Sequence, residues 1–63
     1  MEKTDYVVKI YNGNREFKTI GVFEDSEETI KYIVENPLKG AKHYKVIRRD
    51  YYKGKVDNSF EIM

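Results

Sequence analysis

The residues best suited to chemistry in this 63-residue chain are the cations and tyrosines between positions 39 and 55. This segment holds seven basic side chains and one acidic one, whereas residues 1–36 hold five basic and eight acidic side chains. Basic groups neutralise phosphates or acidic protein surfaces, and aromatic rings stack on bases or anchor protein interfaces. The segment therefore predicts a contact surface for an anionic partner. Its cations are Lys39, Lys42, Lys45, Arg48, Arg49, Lys53 and Lys55.

Six of these neighbouring residues form the predicted binding site. Tyrosine and arginine are enriched among the residues that dominate interface energies, so we expect them to act as anchors. Lysines at the rim of an interface speed the encounter with an acidic partner. The predicted partner-binding residues are Lys45, Arg48, Arg49, Tyr51, Tyr52 and Lys53.

Strand alternation divides this predicted site between two faces. Successive side chains of a strand point to opposite sides of the sheet. Lys45, Arg49 and Tyr51 therefore share one face, and Arg48 shares the other with Tyr52. We expect one of the two adjacent tyrosines to pack against the domain and the other to be available to a partner.

Catalytic and metal-binding arrangements are not evident in the sequence. The chain has no cysteine, and its single histidine, His43, stands at no recognisable spacing from a nucleophile or an acid. Four acidic residues between positions 24 and 28 lack the spacing and glycine of a calcium loop, and helix capping explains them more simply. We therefore predict no enzymatic activity, no metal and no cofactor.

Two functions are compatible with the basic, tyrosine-rich segment. The first is a stoichiometric regulator or inhibitor that occludes an acidic surface on a larger protein. The alternative is a small single-stranded nucleic-acid-binding domain that uses the same residues against phosphates and bases. A formal net charge of only +1 favours the first, because nucleic-acid-binding domains are usually strongly basic.

The N-terminal part of the chain predicts a β-hairpin. Residues 5–11 are β-branched and aromatic, and Asn12 and Gly13 are typical of a two-residue turn. Such a turn would place Val8 opposite Phe17, and Lys9 opposite Glu16. The second strand, residues 15–23, alternates imperfectly, which predicts a bulge near Thr19 or Gly21.

A helix is predicted to follow this hairpin. Asp25 or Ser26 is a suitable N-cap, and the acidic residues of the first turn suit the positive end of the helix dipole. Ile30, Ile33 and Val34 have the spacing of an apolar stripe and are expected to face the core. The dipeptide 36–37, Asn-Pro, ends the helix because a residue before proline avoids the α conformation.

The third strand is predicted over residues 43–52, and a fourth ends in residues 60–62. The turn between them has two alternatives, one around Lys53, Gly54 and Lys55 and one at residues 57–58. A loop of Gly54 and Lys55 would place Ile47 opposite Ile62. The predicted fold is a two-layer α+β domain of ββαββ order, with a four-stranded, mostly antiparallel sheet and one helix packed on one face.

Length and composition predict a single small domain, residues 1–63, in the cytoplasm. No apolar run approaches the ~18 residues of a membrane-spanning helix, the N-terminus lacks a signal-peptide pattern, and cysteine is absent. The apolar fraction is 40%, but six of those residues are tyrosines, so the core is small for a monomer. Two alternatives follow: a homodimer or docking on a larger partner, and an ordinary small monomer that uses tyrosines at the rim of its core.

No family motif is found, but the overall character of the chain resembles a known class. It is short, rich in Lys, Ile, Tyr and Asn, begins Met-Glu-Lys-Thr-Asp-Tyr, and combines one hairpin with one helix. In these respects it resembles the small orphan proteins of bacteriophages and other mobile elements. The resemblance implies a protein that binds and disables a host protein, including defence nucleases.

Overall fold

A computed structural model of the protein describes residues 3–11, 17–40 and 42–62. All strand pairs in it are antiparallel and form one sheet in the order β2-β1-β3-β4. The predicted ββαββ fold is therefore confirmed, and the third strand has the predicted limits. The elements are β1 (Lys3–Tyr11), β2 (Phe17–Phe23), α1 (Ser26–Glu35), β3 (His43–Tyr52) and β4 (Lys55–Glu61).

The register of the first hairpin differs from the prediction. Tyr11 pairs with Phe17 and Lys9 with Thr19, so Val8 does not face Phe17 and Lys9 does not face Glu16. In the observed register Phe17 pairs three residues further along β1 than the two-residue turn predicts, with Tyr11 in place of Val8. The predicted turn at residues 12–13 lies outside the described residues.

The bulge expected in β2 is confirmed. Val8 pairs with Gly21 and its neighbour Lys9 with Thr19, so Ile20 is the extra residue. A Cβ at Gly21 would approach the Phe23 ring to 3.0 Å, so a larger residue here would require that ring to shift. The extra residue shifts the alternation of β2, which lets both halves of this irregular strand pair with β1.

Helix α1 begins where the sequence predicts. Asp25 is the N-cap, in an extended conformation, and its carboxylate accepts a hydrogen bond from the Glu27 N–H at 3.0 Å. The buried Thr29 hydroxyl donates to the Asp25 carbonyl at 3.0 Å, so it is not buried without a partner. At the other end Asn36 is the C-cap, and its side-chain amide donates to the Tyr32 carbonyl. Local hydrogen bonds therefore define both helix ends.

The predicted apolar stripe of α1 is wrong for two of its three members. Ile30 is 62% exposed and Val34 is 72% exposed, whereas Thr29 is buried and Ile33 half-buried. The physical reason is the position of Tyr32, whose ring lies 5.4 Å from that of Phe23 and 6.4 Å from that of Tyr44. Docking this large ring on the sheet rotates the intended stripe toward solvent.

The buried core is small, and its two most buried residues lie on the helix side of the sheet. Val8 and Val46 are almost fully buried and directly opposite each other in the register of β1 and β3. α1 lies over β1 and β2, and its C-terminal end meets β3 where the Tyr44 hydroxyl donates to the Asn36 carbonyl. Every residue of β4 is exposed. The helix therefore covers only about half of the sheet face on which it packs, and the part of that face beside β4 is left uncovered.

The C-terminal hairpin turns at Lys53 and Gly54, so the alternative at residues 57–58 is excluded. Tyr52 pairs with Lys55, and both turn residues have positive φ, 52° and 77°. Ile47 consequently pairs with Glu61 and not with Ile62. An extra residue, Asp57, forms a bulge before the register continues. Two positive φ values in a two-residue loop are typical of a type I′ turn.

Replacing Lys53 with asparagine is expected to raise the free energy of unfolding by about 0.5–1 kcal/mol. Left-handed backbone costs an ordinary L-residue about 1–2 kcal/mol, and asparagine tolerates it far better at this turn position. Urea denaturation followed by circular dichroism measures the change, and Lys55→Asn, in the adjoining strand, is the control. An unchanged midpoint in Lys53→Asn would show that the turn is not strained by the lysine.

Candidate functional site

The structure separates the six predicted binding residues between the two faces of the sheet. Lys45, Arg49 and Tyr51 lie on the face opposite the helix, here called the open face. Arg48 and Tyr52 lie on the helix side, because Arg48 pairs with Tyr6, which lines a cleft beside α1. Lys53 is in the turn. The predicted alternation is confirmed, and the six residues do not form one continuous patch.

On the open face, Arg49 and Tyr51 belong to an internal network around Asp5. The Asp5 carboxylate is buried and accepts two hydrogen bonds from the Arg49 guanidinium, at 2.8 Å from Nε and 2.7 Å from Nη2. The Tyr51 hydroxyl donates to the same carboxylate at 2.9 Å. Lys3 and Arg49 both lie 5.5 Å from the Tyr51 ring centroid. A bidentate, partly buried pair of this kind fixes β1 against β3.

The charges of this network stabilise one another. The hydrogen bonds from Arg49 hold the pKa of the Asp5 carboxyl below its usual value of 3.8, although burial opposes them. The hydrogen bond to Asp5 raises the pKa of Arg49 and of Tyr51. Asp5 is therefore ionised and Tyr51 protonated at neutral pH, which is the state that the three hydrogen bonds require.

Two further cations of the basic segment lie against acidic side chains of the same chain. Lys45 Nζ lies 3.3 Å from a Glu61 carboxylate oxygen. Arg48 Nε donates to Asp50 Oδ1 at 3.1 Å. Together with the Arg49–Asp5 pair, these contacts place a carboxylate of the same chain beside three of the seven cations. The net positive charge of residues 39–55 is therefore much reduced at the surface.

The helix side of the sheet carries an apolar surface that the sequence did not single out. A cleft of ≈ 230 Å³ opens between α1 and the C-terminal end of the chain. Such a volume is below the roughly 300–1,000 Å³ of small-molecule pockets, so a partner would lie across it and not within it. The residues that line the cleft are Tyr6, Ser26, Thr29, Ile30, Ile33, Val46 and Ile62.

Large apolar side chains continue this surface on both sides of the cleft. Phe60 is 49% exposed and Ile62 is 55% exposed, and both lie on the helix side because they pair with Arg48 and Val46. Ile30 and Val34 project from α1. The set comprising the cleft lining together with Val34, Tyr52 and Phe60 is called here the helix-side apolar surface. It exists because α1 lies over β1 and β2 and leaves this half of the face uncovered.

Two residues predicted as anchors lie at this surface, but the apolar side chains that form most of it are not among the predicted binding residues. Tyr52 is 51% exposed, whereas Tyr51 is half-buried in the Asp5 network, as expected for one packed and one available tyrosine. Arg48 is the other anchor on this side. The sequence predicts Ile30 as a core residue. That prediction fails because apolar spacing along a helix does not distinguish a stripe that faces the core from an exposed one.

The overall dimensions agree with an incompletely covered fold. The Cα radius of gyration is 12.4 Å, and the principal extents are 40 × 24 × 15 Å. A globular chain of this length has an expected radius of about 10.6 Å from the usual scaling with residue number. The domain is thus flatter and longer than a typical monomer, with one helix on a wide sheet.

Two further findings concern the described part of the chain. Within it, no group of three or more His, Cys, Asp or Glu side chains is arranged to hold a metal ion. Among the same residues, no helix has the length and apolar character needed to cross a bilayer. Comparison with known proteins gives no match to any family model, curated protein or solved structure.

Proposed function

We propose that this chain is a non-enzymatic binding module that acts by occupying a surface on a larger protein. The observation that carries the proposal is the helix-side apolar surface, where exposed Ile30 and Ile62 line one cleft and Val34 and Phe60 are exposed as well. Contiguous exposed apolar residues on a soluble domain mark sites of protein contact. A stoichiometric regulator or inhibitor, which the resemblance to small phage proteins implies, would act in this way.

The charges around this surface favour a partner with an acidic rim. Tyr52 lies at the turn end of the surface, where Lys53 packs over its ring at 5.4 Å and Lys55 pairs with it across the hairpin. Arg48 lies further along the same face, beside Phe60. An aromatic and apolar centre with cations at one end matches the usual anatomy of a protein interface. The predicted acidic partner is therefore retained, with Tyr52 as the anchor. Arg48 would exchange its contact with Asp50 for one with the partner.

The alternative, binding of single-stranded nucleic acid, has less support from the geometry. It would use the open face, where Lys45, Arg49 and Tyr51 lie together. Phosphate binding by Arg49 and Lys45 would compete with their contacts to Asp5 and Glu61. The Tyr51 hydroxyl is also held by Asp5. Stacking a base on this tyrosine would compete with Lys3 and Arg49 for its ring.

A capture experiment followed by reconstitution tests the proposed function. The tagged protein is used to capture partners from cells of the organism that encodes it, and each candidate is then purified and titrated calorimetrically. We expect one protein to bind in a fixed stoichiometric ratio. Its affinity should fall only moderately between 50 and 200 mM salt, since apolar burial is not screened by ions.

The same titration with oligonucleotides distinguishes the two candidate functions. Binding through several phosphates loses about 10³–10⁵ in affinity over that range of salt, because condensed counterions are released. Tight, steeply salt-dependent binding to single strands, with no stoichiometric protein partner, would contradict the proposal and favour the alternative.

A further inference from the structure

We propose that two copies of this chain pair through their β4 strands and form one continuous eight-stranded sheet. The proposal concerns the edge of the sheet and does not depend on the proposed function. β4 is an edge strand of the described sheet, and all seven of its residues are exposed. An edge strand presents unpaired N–H and C=O groups, which are a template for pairing with another strand.

The backbone of β4 shows which groups face outward. The Ile62 N–H donates to the Val46 carbonyl of β3 at 2.9 Å, so the backbone groups of Ile62 point inward, toward β3. Backbone groups alternate in direction along an antiparallel strand. Phe60 therefore also points its backbone groups inward, whereas Ser59 and Glu61 point theirs away from β3. These two residues are the hydrogen-bonding residues of the free edge.

A two-fold register centred on Phe60 satisfies the backbone groups of this edge. If Phe60 lies on the two-fold axis, Ser59 faces the partner's Glu61, and both residues of that pair have outward backbone groups. The pair exchanges two backbone hydrogen bonds, and symmetry repeats it on the other side of the axis. Phe60 then faces the partner's Phe60 as a non-hydrogen-bonded pair, the arrangement in which cross-strand side chains lie closest.

The neighbouring registers place like charges opposite each other. Moving the axis to Ser59 sets Asp57 against the partner's Glu61, and moving it to Glu61 sets that residue against its own copy. Like charges directly opposite on neighbouring strands are destabilising. The register centred on Phe60 avoids both contacts, because Asp57 and Lys55 then lie outside the paired segment.

The two edges of the sheet differ in their suitability for pairing. In β2 the bulge residue, Ile20, lies in the middle of the strand and interrupts the edge. In β4 the bulge residue, Asp57, lies near the turn, and the register from Asn58 to Glu61 is regular. Bulges protect edges against pairing, so the protected edge is β2 and the open one is β4.

Pairing in this register would also cover exposed apolar groups. It joins the Phe60 ring to its copy on the helix side, where the ring is now half exposed. Both helices then lie on the same side of the sheet, with the two helix-side apolar surfaces facing each other across the joined β4 strands. The flat, extended shape of the single chain is half of a wider, two-fold symmetric assembly.

Engineered cysteines test both the pairing and its register, because the chain has no cysteine of its own. With oxygen and a copper catalyst as oxidant, Phe60→Cys is expected to form a disulfide-linked dimer. Asn58→Cys is the matched control on the same face. In this register its Cα lies about 13 Å along the strand from its copy, whereas a disulfide needs less than about 7 Å.

A proline in the edge gives an independent readout by sedimentation equilibrium. Ser59→Pro removes an N–H that the single chain does not use within its sheet, and edge positions tolerate proline. We expect it to weaken dimerisation at least about 10-fold, as loss of interface hydrogen bonds does. Ser59→Ala keeps the N–H and should leave the dimerisation constant within about 2-fold.

Three results would overturn the proposal. They are a wild-type chain that stays monomeric at millimolar concentration, equal cross-linking of Asn58→Cys and Phe60→Cys, and a Ser59→Pro variant that is folded by circular dichroism and dimerises like the wild type. None of them affects the proposed function, which is tested by capture and calorimetric titration of a protein partner.

Discussion

Replacement of Asp5 with alanine is expected to lower the free energy of unfolding by about 3 kcal/mol, since breaking a buried ion pair leaves an uncompensated charge. The Asp5 carboxylate is buried and accepts three hydrogen bonds, two from Arg49 and one from Tyr51. The Arg49 side chain is itself only 30% exposed. A domain of this size has only about 5 kcal/mol of stability, so the variant should keep about 2 kcal/mol and unfold at a much lower urea concentration than the wild type.

The same carboxylate predicts how stability depends on pH. The pKa of Asp5 is lower in the folded protein than its ordinary value of 3.8. Its contribution is therefore fully present above that value and is lost as the pH falls through the folded-state pKa. Urea denaturation of the wild type between pH 6 and pH 2 should show a decline in acid that is shallower in Asp5→Asn.

Asp57→Ala is the matched control, because Asp57 is an exposed aspartate at the β4 bulge. It should change the free energy of unfolding by less than about 0.5 kcal/mol. If Asp5→Ala were as stable as Asp57→Ala, the Asp5 network would contribute no net stability. Arg49 would then be available to an external anion.

The second large effect concerns binding. Replacement of Ile30 with glutamate is expected to weaken binding of the partner protein at least about 30-fold, as truncation or charging of a central interface residue does. Ile30 projects from α1 beside the cleft and is 62% exposed, so the domain should remain folded. Competition binding against the wild type, with a melting curve for each variant, measures both quantities.

Val22→Glu is the control for this substitution. Val22 is also an exposed aliphatic residue, but it lies on the open face with Val7 and Ile47. The same charge introduced there should leave the affinity within about 3-fold of the wild type. Equal loss in both variants would show that a general effect of charge or stability, and not the helix-side apolar surface, determines binding.

Those parts of the fold that depend on local signals were predictable from the sequence. The limits of β3, the cap at Asp25 and the bulge beside Gly21 follow from β-branched residues, a short polar side chain and an interrupted alternation. Each of these features is determined by residues close together in the chain. The fold class followed from their order.

The parts that depend on distant contacts were not predictable. Arg49 and Asp5 are 44 residues apart, and only the pairing of β1 with β3 makes them neighbours. The sequence therefore predicts an available basic segment, although Arg49 is held by its own chain. The exposure of Ile30 had the same cause, because the ring contacts of Tyr32 with Phe23 and Tyr44 set the rotation of α1.

A methyl-group NMR titration with the purified partner tests the central claim most directly, since it reports contacts on both faces of the sheet at once. Binding at the helix-side apolar surface predicts that the methyl signals of Ile30, Val34 and Ile62 shift in proportion to added partner. Those of Val22 and Val56, which line the open face, should stay in place. Shifts confined to Val22 and Val56, with Ile30 and Ile62 unchanged, would contradict the account and place the binding site on the other side of the sheet.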